Sequence, residues 1–373
     1  MRIVTVSHRF YPSIGGTERF TYLYAKYMSK RGHKVTVVTS TEMGCPEHEI
    51  MDEFDVIRLK MLNISKYRIP IRYYRTIKDL DYDILHVNGQ RVWCGDWIYP
   101  FIPFLKQKRV FMAHGFYQYY INPGLINNLY YKKYFVKMMR LFDHYIALTD
   151  TEKNVMTQWG YPDDRLTILP NMVFDPDESF RSIDFRNKYN ISDKPIIVNI
   201  GGYYENKRVD LLIEAVAKSG EDVNVISIGK DVLNSKYNKK FCVDLAKRKG
   251  VNFHTFENLS REDIVSAYNE ATIMVHPATF EGFGIVFIES LQYGTPFISF
   301  DKGIAKEVSQ HGAAIVVNSV DEMAKKITLL LNNDELLKDM QNKGKRYASR
   351  FYADKVAIEY ENLYKKLISE GNR

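Results

Sequence analysis

Two glutamates, Glu281 and Glu289, stand eight positions apart in the stretch HPATFEGFGIVFIES. Between them lie Gly282, Phe283 and Gly284, and then a wholly apolar run that starts at Ile285. An unpaired charge is costly to bury, so two carboxylates beside such a run must hold something. The preceding TIMVHPA has the composition of a buried strand, which places Glu281 on a loop and opens a helix near Gly284. The first N–H groups of that helix lack intrahelical partners, and glycines there let a phosphate approach the backbone. Glu289 is expected to point back toward the same place and accept hydrogen bonds from adjacent hydroxyls, as on a ribose. Glu281 would be repelled by phosphate and better suits the hydroxyls of a sugar. An exposed helix residue is the plain alternative for one of the two; for both, in this loop, it is less convincing.

A similar arrangement occurs upstream in IGGYYENKRVDLLIEA, where Gly201 and Gly202 follow a strand and Lys207 and Arg208 open a helix. Two cations beside a helix N-terminus suit a diphosphate, although most such pairs are simply solvated. Near the start, YPSIGGTERF sets Gly15 and Gly16 between a strand and a helix. Their N–H groups can approach an anion, but the spacing is not G-x-G-x-x-G, no acid ends the second strand, and a tight turn explains them equally. His114 ends another strand in VFMAHGFY, placed to donate to a phosphate or substrate oxygen or to act as an acid or base; a lone histidine is more often structural. Two D-x-D matches, Asp81 with Asp83 and Asp175 with Asp177, look like strand-start and turn chemistry, so no metal site is expected.

The rest of the chain must position these residues. With 373 residues, it is too long for one ordinary core, and two domains are expected. Apolar residues make up 45%, which supports globular packing. Cys45, Cys94 and Cys242 are too few and too scattered for a disulfide framework or a zinc cluster, and they fit a reducing compartment. MRIVTVSHRFYP alternates like a strand rather than a secretory leader, and no run of about 18 apolar residues is present to span a membrane. A cytoplasmic protein is therefore expected, soluble or peripheral on the inner face of the membrane. The net charge of +7 lies in the first half, where residues 1–190 hold 27 Lys and Arg against 20 Asp and Glu. Between Asp96 and Asp143 there is no acid, while Lys132, Lys133, Lys137 and Arg140 are interleaved with Tyr and Phe. Such a mixture suits an anionic membrane surface, or equally a solvated helix packed on its aromatic side.

Strand-like and helix-like segments alternate throughout, the pattern of parallel sheets covered on both faces. RIVTVSH, KVTVVTS, DYDILHVNG, KRVFMAHG and HYIALTD form one series of strands. PIIVNIGG, VNVISIG, VNFHTF, TIMVHPA, PFISF and AAIVV form a second. The expected organisation is α/β, with one Rossmann-like doubly wound domain over 1–185, a second over 186–350, and a crossover helix over 351–373. In that helix Val356, Tyr360, Leu363, Tyr364 and Leu367 share one stripe and should pack back toward the first domain. Ligands of open α/β sheets gather beyond the carboxyl ends of the strands, and two such domains predict a cleft between them.

Taken together, the loops resemble glycosyltransferase family 4 (glycosyl transferases group 1), the retaining, sugar-nucleotide-dependent transferases of GT-B fold. EGFGIVFIE is similar to that family's E-x7-E element, with GTPFI and Glu307 following. NKRVDLLIEA resembles its lysine-bearing phosphate loop, ILPNMVF its crossover, PSIGGTE its N-terminal glycine loop, and IALTDTEKN a segment that usually begins with serine. The resemblance implies that Gly282, Phe283, Gly284 and Ile285 present backbone to a donor diphosphate and sugar, with Glu289 on the ribose and Glu281 on the transferred sugar. Lys207 would neutralise the leaving diphosphate without a metal, His114 would lie near the anomeric carbon, and Gly15, Gly16, Gly201, Gly202 and Arg208 would complete the donor site. It also implies a nucleoside diphosphate sugar, UDP- or GDP-linked, as co-substrate, no other cofactor, and a glycan or lipid-linked acceptor held by the first domain. The chain departs from the pattern at Gly202, where an arginine is usual, and at Asn88, where a histidine is common. Two other expectations remain open: a related epimerase or phosphorylase, and a non-catalytic protein with a vestigial donor site that binds a membrane surface or, less readily, nucleic acid.

Overall fold

The computed structural model describes residues 1–13, 15–64, 67–116, 124–175 and 183–371. The chain divides into two compact units, one formed by 1–175 together with 351–373 and the other by 176–350. The sequence placed the changeover near residue 185.

The first unit is built on β1 (Arg2–Val6), β2 (Lys34–Ser40), β3 (His48–Met51) and β4 (Phe54–Leu59). A separate hairpin pairs β5 (Met61–Ile64) with β6 (Tyr67–Pro70). β7 (Ile84–Asn88), β8 (Lys108–Met112), β9 (His144–Ala147) and β10 (Leu166–Ile168) complete the set. The eight-stranded sheet runs β10-β9-β8-β7-β1-β2-β4-β3, parallel except for β3 against β4. Its central strands are buried on both faces, which is why they read as near-continuous apolar runs rather than alternating ones.

Two helices close one side of this sheet. The first, Gly16–Lys30, buries Phe20, Leu23, Tyr24 and Met28. The last, Ala353–Ser369, buries the expected stripe of Val356, Tyr360, Leu363, Tyr364 and Leu367. Buried hydroxyls need partners, and these helices supply them across the core. Tyr24 donates to Tyr364 at 2.8 Å, and Tyr364 in turn bonds His86 of β7 at 2.8 Å.

The second unit contains β11 (Ile196–Ile200), β12 (Asn224–Ile228), β13 (Asn252–Phe256), β14 (Ile273–His276), β15 (Phe297–Ser299) and β16 (Ala314–Val316). All are parallel, in the order β13-β12-β11-β14-β15-β16. This is the classical dinucleotide-fold order, which reverses direction between its first and fourth strands. Helices Val209–Ser219, Lys239–Lys249, Arg261–Glu270, Ile285–Gln292 and Ala305–Gln310 form the crossovers. The six strands are those expected from the sequence. Missing from the expectation for the first unit were β3, β4, β5, β6 and β10; β3 and β5 are partly exposed stretches without a buried-strand signal, β4 alternates between buried and half-buried residues, and β10 has only three residues.

Candidate active site

In the second unit, β11 and β14 are neighbours at the point where strand order reverses, and the candidate residues lie just beyond their carboxyl ends. The loop after β11 carries Gly201, Gly202, Lys207 and Arg208, and the loop after β14 carries Glu281 to Gly284. Backbone ties join the two loops. Thr279 N–H donates to Asn206 O at 2.8 Å, and the Asn206 amide donates to Phe280 O at 3.3 Å.

A four-residue chain crosses this junction. Asn199 donates through Nδ2 to Val275 O at 2.8 Å and lies 3.2 Å from His276 Nδ1. His276 is fully buried, and that burial pushes its pKa down, so the ring is neutral near pH 7. A neutral ring that accepts at Nδ1 carries its proton on Nε2, which donates to Glu281 Oε1 at 2.9 Å. Lys207 Nζ donates to the same oxygen. Burial opposes ionisation of Glu281, but the Lys207 charge and the His276 hydrogen bond outweigh it and hold the carboxyl at about 2. The result is a fixed carboxylate with one oxygen held by two donors. Gly201 allows this packing, since a Cβ there would lie 3.4 Å from His276 Cε1 and 3.6 Å from Lys207 Cδ.

The glycines that follow are required by the backbone. Gly284 caps the 285–292 helix with φ 89, and a side chain there would collide with the Phe287 ring. Phe283 is buried and its carbonyl accepts from Ile304 N–H at 3.0 Å, while Ile285, also buried, begins the helix. Gly202 stands where an arginine was expected. A Cβ there would lie 2.7 Å from the Tyr204 ring, so that ring occupies the arginine's space.

Three of the expected sites are engaged within the chain itself. Glu289 is 1% exposed, and its Oε1 pairs with Arg261 at 2.8 Å. Arg208 is engaged by Asp210, with Nη2 at 2.8 Å from Oδ2 and its guanidinium 4.7 Å from the Tyr237 ring centroid, so its charge is already answered. Gly15 caps the 16–30 helix and Gly16 starts it, but the Glu18 carboxylate lies over Gly15. An acid in the first turn already serves the helix dipole, so an anion has little reason to bind there.

His114 lines a pocket of the first unit, at the strand-order reversal between β1 and β7. It has φ 58, and its Nε2 lies 3.0 Å from Asn88 Oδ1. Asn88 donates through Nδ2 to Thr5 Oγ1 and Val6 O, which orients its amide oxygen toward the imidazole. Burial lowers the His114 pKa to about 3. With its Nε2 proton donated to Asn88, the neutral ring keeps a lone pair on Nδ1. Around it, a cavity of about 300 Å³ is lined by His8, Glu18, Gln90, Arg91 and Tyr131 among others.

Asp81 and Asp83 both pair with Arg2, with Asp83 Oδ1 at 2.7 Å. Asp175 accepts from Asp354 N–H at 3.3 Å, and Asp177 lies outside the described residues. Among the described residues, no three His, Cys, Asp or Glu side chains cluster as metal ligands would. Glu307 accepts from the Tyr347 hydroxyl at 2.7 Å. Sequence reasoning missed His276, Asn199, Arg261, Glu18 and Gln90; the one local signal among them was a histidine at a strand end directly before proline.

Two dinucleotide-type units with their polar loops at the strand-order reversals define a GT-B protein. Residues 182–347 match the family described as glycosyl transferases group 1, and residues 14–175 match glycosyltransferase family 4. The chain belongs to this glycosyltransferase family and is a glycosyltransferase. An uncharacterized glycosyltransferase of Haemophilus influenzae is 23% identical over 94% of this chain and 96% of its own. Sucrose-phosphate synthase from Thermosynechococcus elongatus superposes with a TM-score of 0.81 at 16% identity, covering 99% of this chain and 100% of its own. HepE of Anabaena, in complex with UDP-glucose, gives 0.77 at 17% identity over 98% and 100%.

Proposed function

We propose that this protein is a retaining, metal-independent hexosyltransferase that moves a sugar from a nucleoside diphosphate sugar to a hydroxyl of a glycan or lipid-linked acceptor. The observation that carries the proposal is the Asn199–His276–Glu281–Lys207 chain at the carboxyl ends of β11 and β14. Lys207 meets the negative charge that grows on the diphosphate as the bond from the anomeric carbon to the phosphate oxygen breaks. A cation aimed at a departing diphosphate stabilises the transition state more than the ground state. Glu281, its charge fixed, accepts from hydroxyls of the transferred sugar. The backbone of Gly282 to Gly284 lies beside them. Glu289 exchanges its pairing with Arg261 for the ribose hydroxyls. The acceptor oxygen bonds to the anomeric carbon on the face that the diphosphate leaves, and its proton passes to the departing phosphate oxygen, so configuration is retained. Similarity to HepE bound to UDP-glucose supports a uridine donor.

A thermal-shift panel of UDP, GDP, UDP-glucose and GDP-mannose tests the donor. Ligands that bind only the folded state raise its melting point. UDP-glucose is expected to raise it most, with free UDP released only when an acceptor is present. Failure of every nucleotide to shift the melting point would reject sugar-nucleotide transfer, and UDP release that needs no acceptor would favour an epimerase or phosphorylase.

One surface feature favours membrane attachment as part of this function. Along 125–141, Leu125 is 84% exposed, and Leu129, Tyr134 and Leu141 are also exposed, interspersed with Lys132, Lys133, Lys137 and Arg140. Exposed apolar tips among cations suit the headgroup region of an anionic bilayer. No helix among the described residues is long and apolar enough to cross a membrane. Vesicles of phosphatidylglycerol are expected to co-sediment the protein and vesicles of phosphatidylcholine are not; equal partitioning would remove this part of the proposal.

A further inference from the structure

A serine or a histidine at position 88 could either donate to a neighbouring ring or accept from it. Asn88 has no such choice. Its amide faces Val6 O at 3.1 Å, and a carbonyl only accepts, so the atom there is Nδ2 and it donates. Nδ2 also donates to Thr5 Oγ1 at 2.9 Å, which uses both amide protons. Oδ1 is left to accept, and His114 Nε2, 3.0 Å away, must carry the proton. Asn88 is itself anchored, because its carbonyl accepts from Cys94 Sγ at 2.8 Å. The backbone holds the same ring in place. His114 has φ 58, a left-handed conformation that a residue with a side chain rarely adopts and that persists only where its surroundings enforce it. Gln90 helps to enforce it, since its Nε2 holds the next carbonyl, Gly115 O, at 2.7 Å. Phe20 of the first helix meets the imidazole edge to face, with centroids 5.1 Å apart. The titratable groups around the ring are His86 of β7 and, along the cavity wall, His8, Glu18, Arg91 and Tyr131. Burial holds the three imidazoles neutral, with pKa values of about 3 for His86 and His114 and about 4 for His8.

We propose that Asn88 is a positioning residue for the transfer reaction: it holds His114 in the one tautomer whose Nδ1 keeps a lone pair, so that the ring meets substrate only as a hydrogen-bond acceptor. A substrate hydroxyl donates to Nδ1, and the ring supplies no proton when the bond to the diphosphate breaks. The role in transfer rests on the function proposed above, whereas the tautomer does not.

Long-range proton–nitrogen NMR of the full chain, isotope-labelled at its histidine rings, reads the tautomer directly; the His114 signals are those lost in His114→Gln. The wild type is expected to show a protonated Nε2 and a bare Nδ1, unchanged between about pH 5 and pH 9. Asn88→Ser, whose hydroxyl both donates and accepts, is expected to give a mixture of the two tautomers. Asn88→Asp sets a carboxylate against the ring and is expected to make it charged below about pH 7. With UDP-glucose and an acceptor, the ratio of kcat/KM in Asn88→Asp to that in wild type is expected to fall about 10-fold from about pH 8 to pH 6, as the charged ring ceases to accept. Taking the ratio removes the titration of groups common to both proteins. A role confined to packing would lower the ratio equally at every pH and would overturn the proposal. So would a proton on Nδ1 in the wild type, or one unchanged tautomer in Asn88→Ser. The wild-type and Asn88→Ser spectra decide the tautomer if Asn88→Asp fails to fold. A wild type that shows the expected spectrum but transfers no sugar would strike at the function proposed above rather than at the hold of Asn88 on the ring.

Discussion

Glu281→Ala and Lys207→Ala are each expected to lower kcat for sugar transfer about 1,000-fold, the scale reached when one preorganised charge is taken from a transition-state site. The two side chains form one unit, since Lys207 Nζ and His276 Nε2 both donate to Glu281 Oε1. Removing Glu281 leaves the lysine unpaired in a buried place, where it can turn toward the diphosphate but no longer has a fixed direction. Removing Lys207 leaves a buried carboxylate next to the incoming phosphates, which repels them. Because each loss disables the same arrangement, the double variant should be little worse than the weaker single one. The carboxyl is held at about 2, below its ordinary value, so it stays ionised through the working pH range. Its contribution to stability is present above an unfolded pKa of about 4.5 and is lost only as pH falls through the folded value. Initial rates with UDP-glucose and an acceptor, together with circular dichroism of each variant, provide the check. Near wild-type turnover in both single variants would sink the proposed mechanism.

The second large effect concerns stability. Glu152, in the helix after β9, is buried in the first unit. Its Oε1 accepts from Tyr145 Oη at 2.7 Å and its Oε2 from Leu148 N–H at 3.0 Å. Burial raises its pKa to about 7, and those two hydrogen bonds only partly offset the rise. With a folded value above the unfolded one, the folded state binds more protons between about 4.5 and 7. Stability therefore falls as pH rises through that window, by about 3 kcal/mol from this group alone. Glutamine reproduces the protonated acid, because its amide N–H can donate to Tyr145 while its oxygen accepts from Leu148. Glu152→Gln is accordingly expected to match wild type near pH 4.5 and to exceed it by about 3 kcal/mol above pH 7. Urea unfolding at several pH values measures this directly. Parallel pH profiles for the two proteins would show that Glu152 does not titrate as described.

Much of the fold could be read from the sequence, because parallel strands buried on both faces leave unbroken apolar runs that local inspection detects. VTVV, IIVNI and IMV are of this kind, and every strand of the second sheet was found. Strand order was not visible in the same way, since β11 pairs with β14 across more than seventy residues. The candidate site divided similarly. Glu281, Lys207 and Gly284 stood out because charges and glycines at strand ends are unusual and local. His276 and Asn199 did not, because a single polar residue ending a buried strand looks the same whether it fills a core or orients a neighbour. Arg261 lies far from Glu289 in sequence, and nothing near either residue announces their pairing. The pairing of Arg208 was legible, since Asp210 stands only two positions away.

One feature of the first unit sets a schedule for its manufacture. Its core includes Tyr360 and Tyr364, from the far end of the chain, packed against Tyr24 and His86 near the beginning. A ribosome that has delivered the first 175 residues has made a sheet that still lacks one of its covering helices. Residues 176–350 emerge next and hold all six strands of their own sheet, so this later-synthesised unit can complete itself first. The earlier unit must wait for the last helix, its apolar groove open to solvent or to a chaperone in the meantime. A nonsense mutation near residue 350 would thus spare the unit of residues 176–350 and damage the one that was translated first.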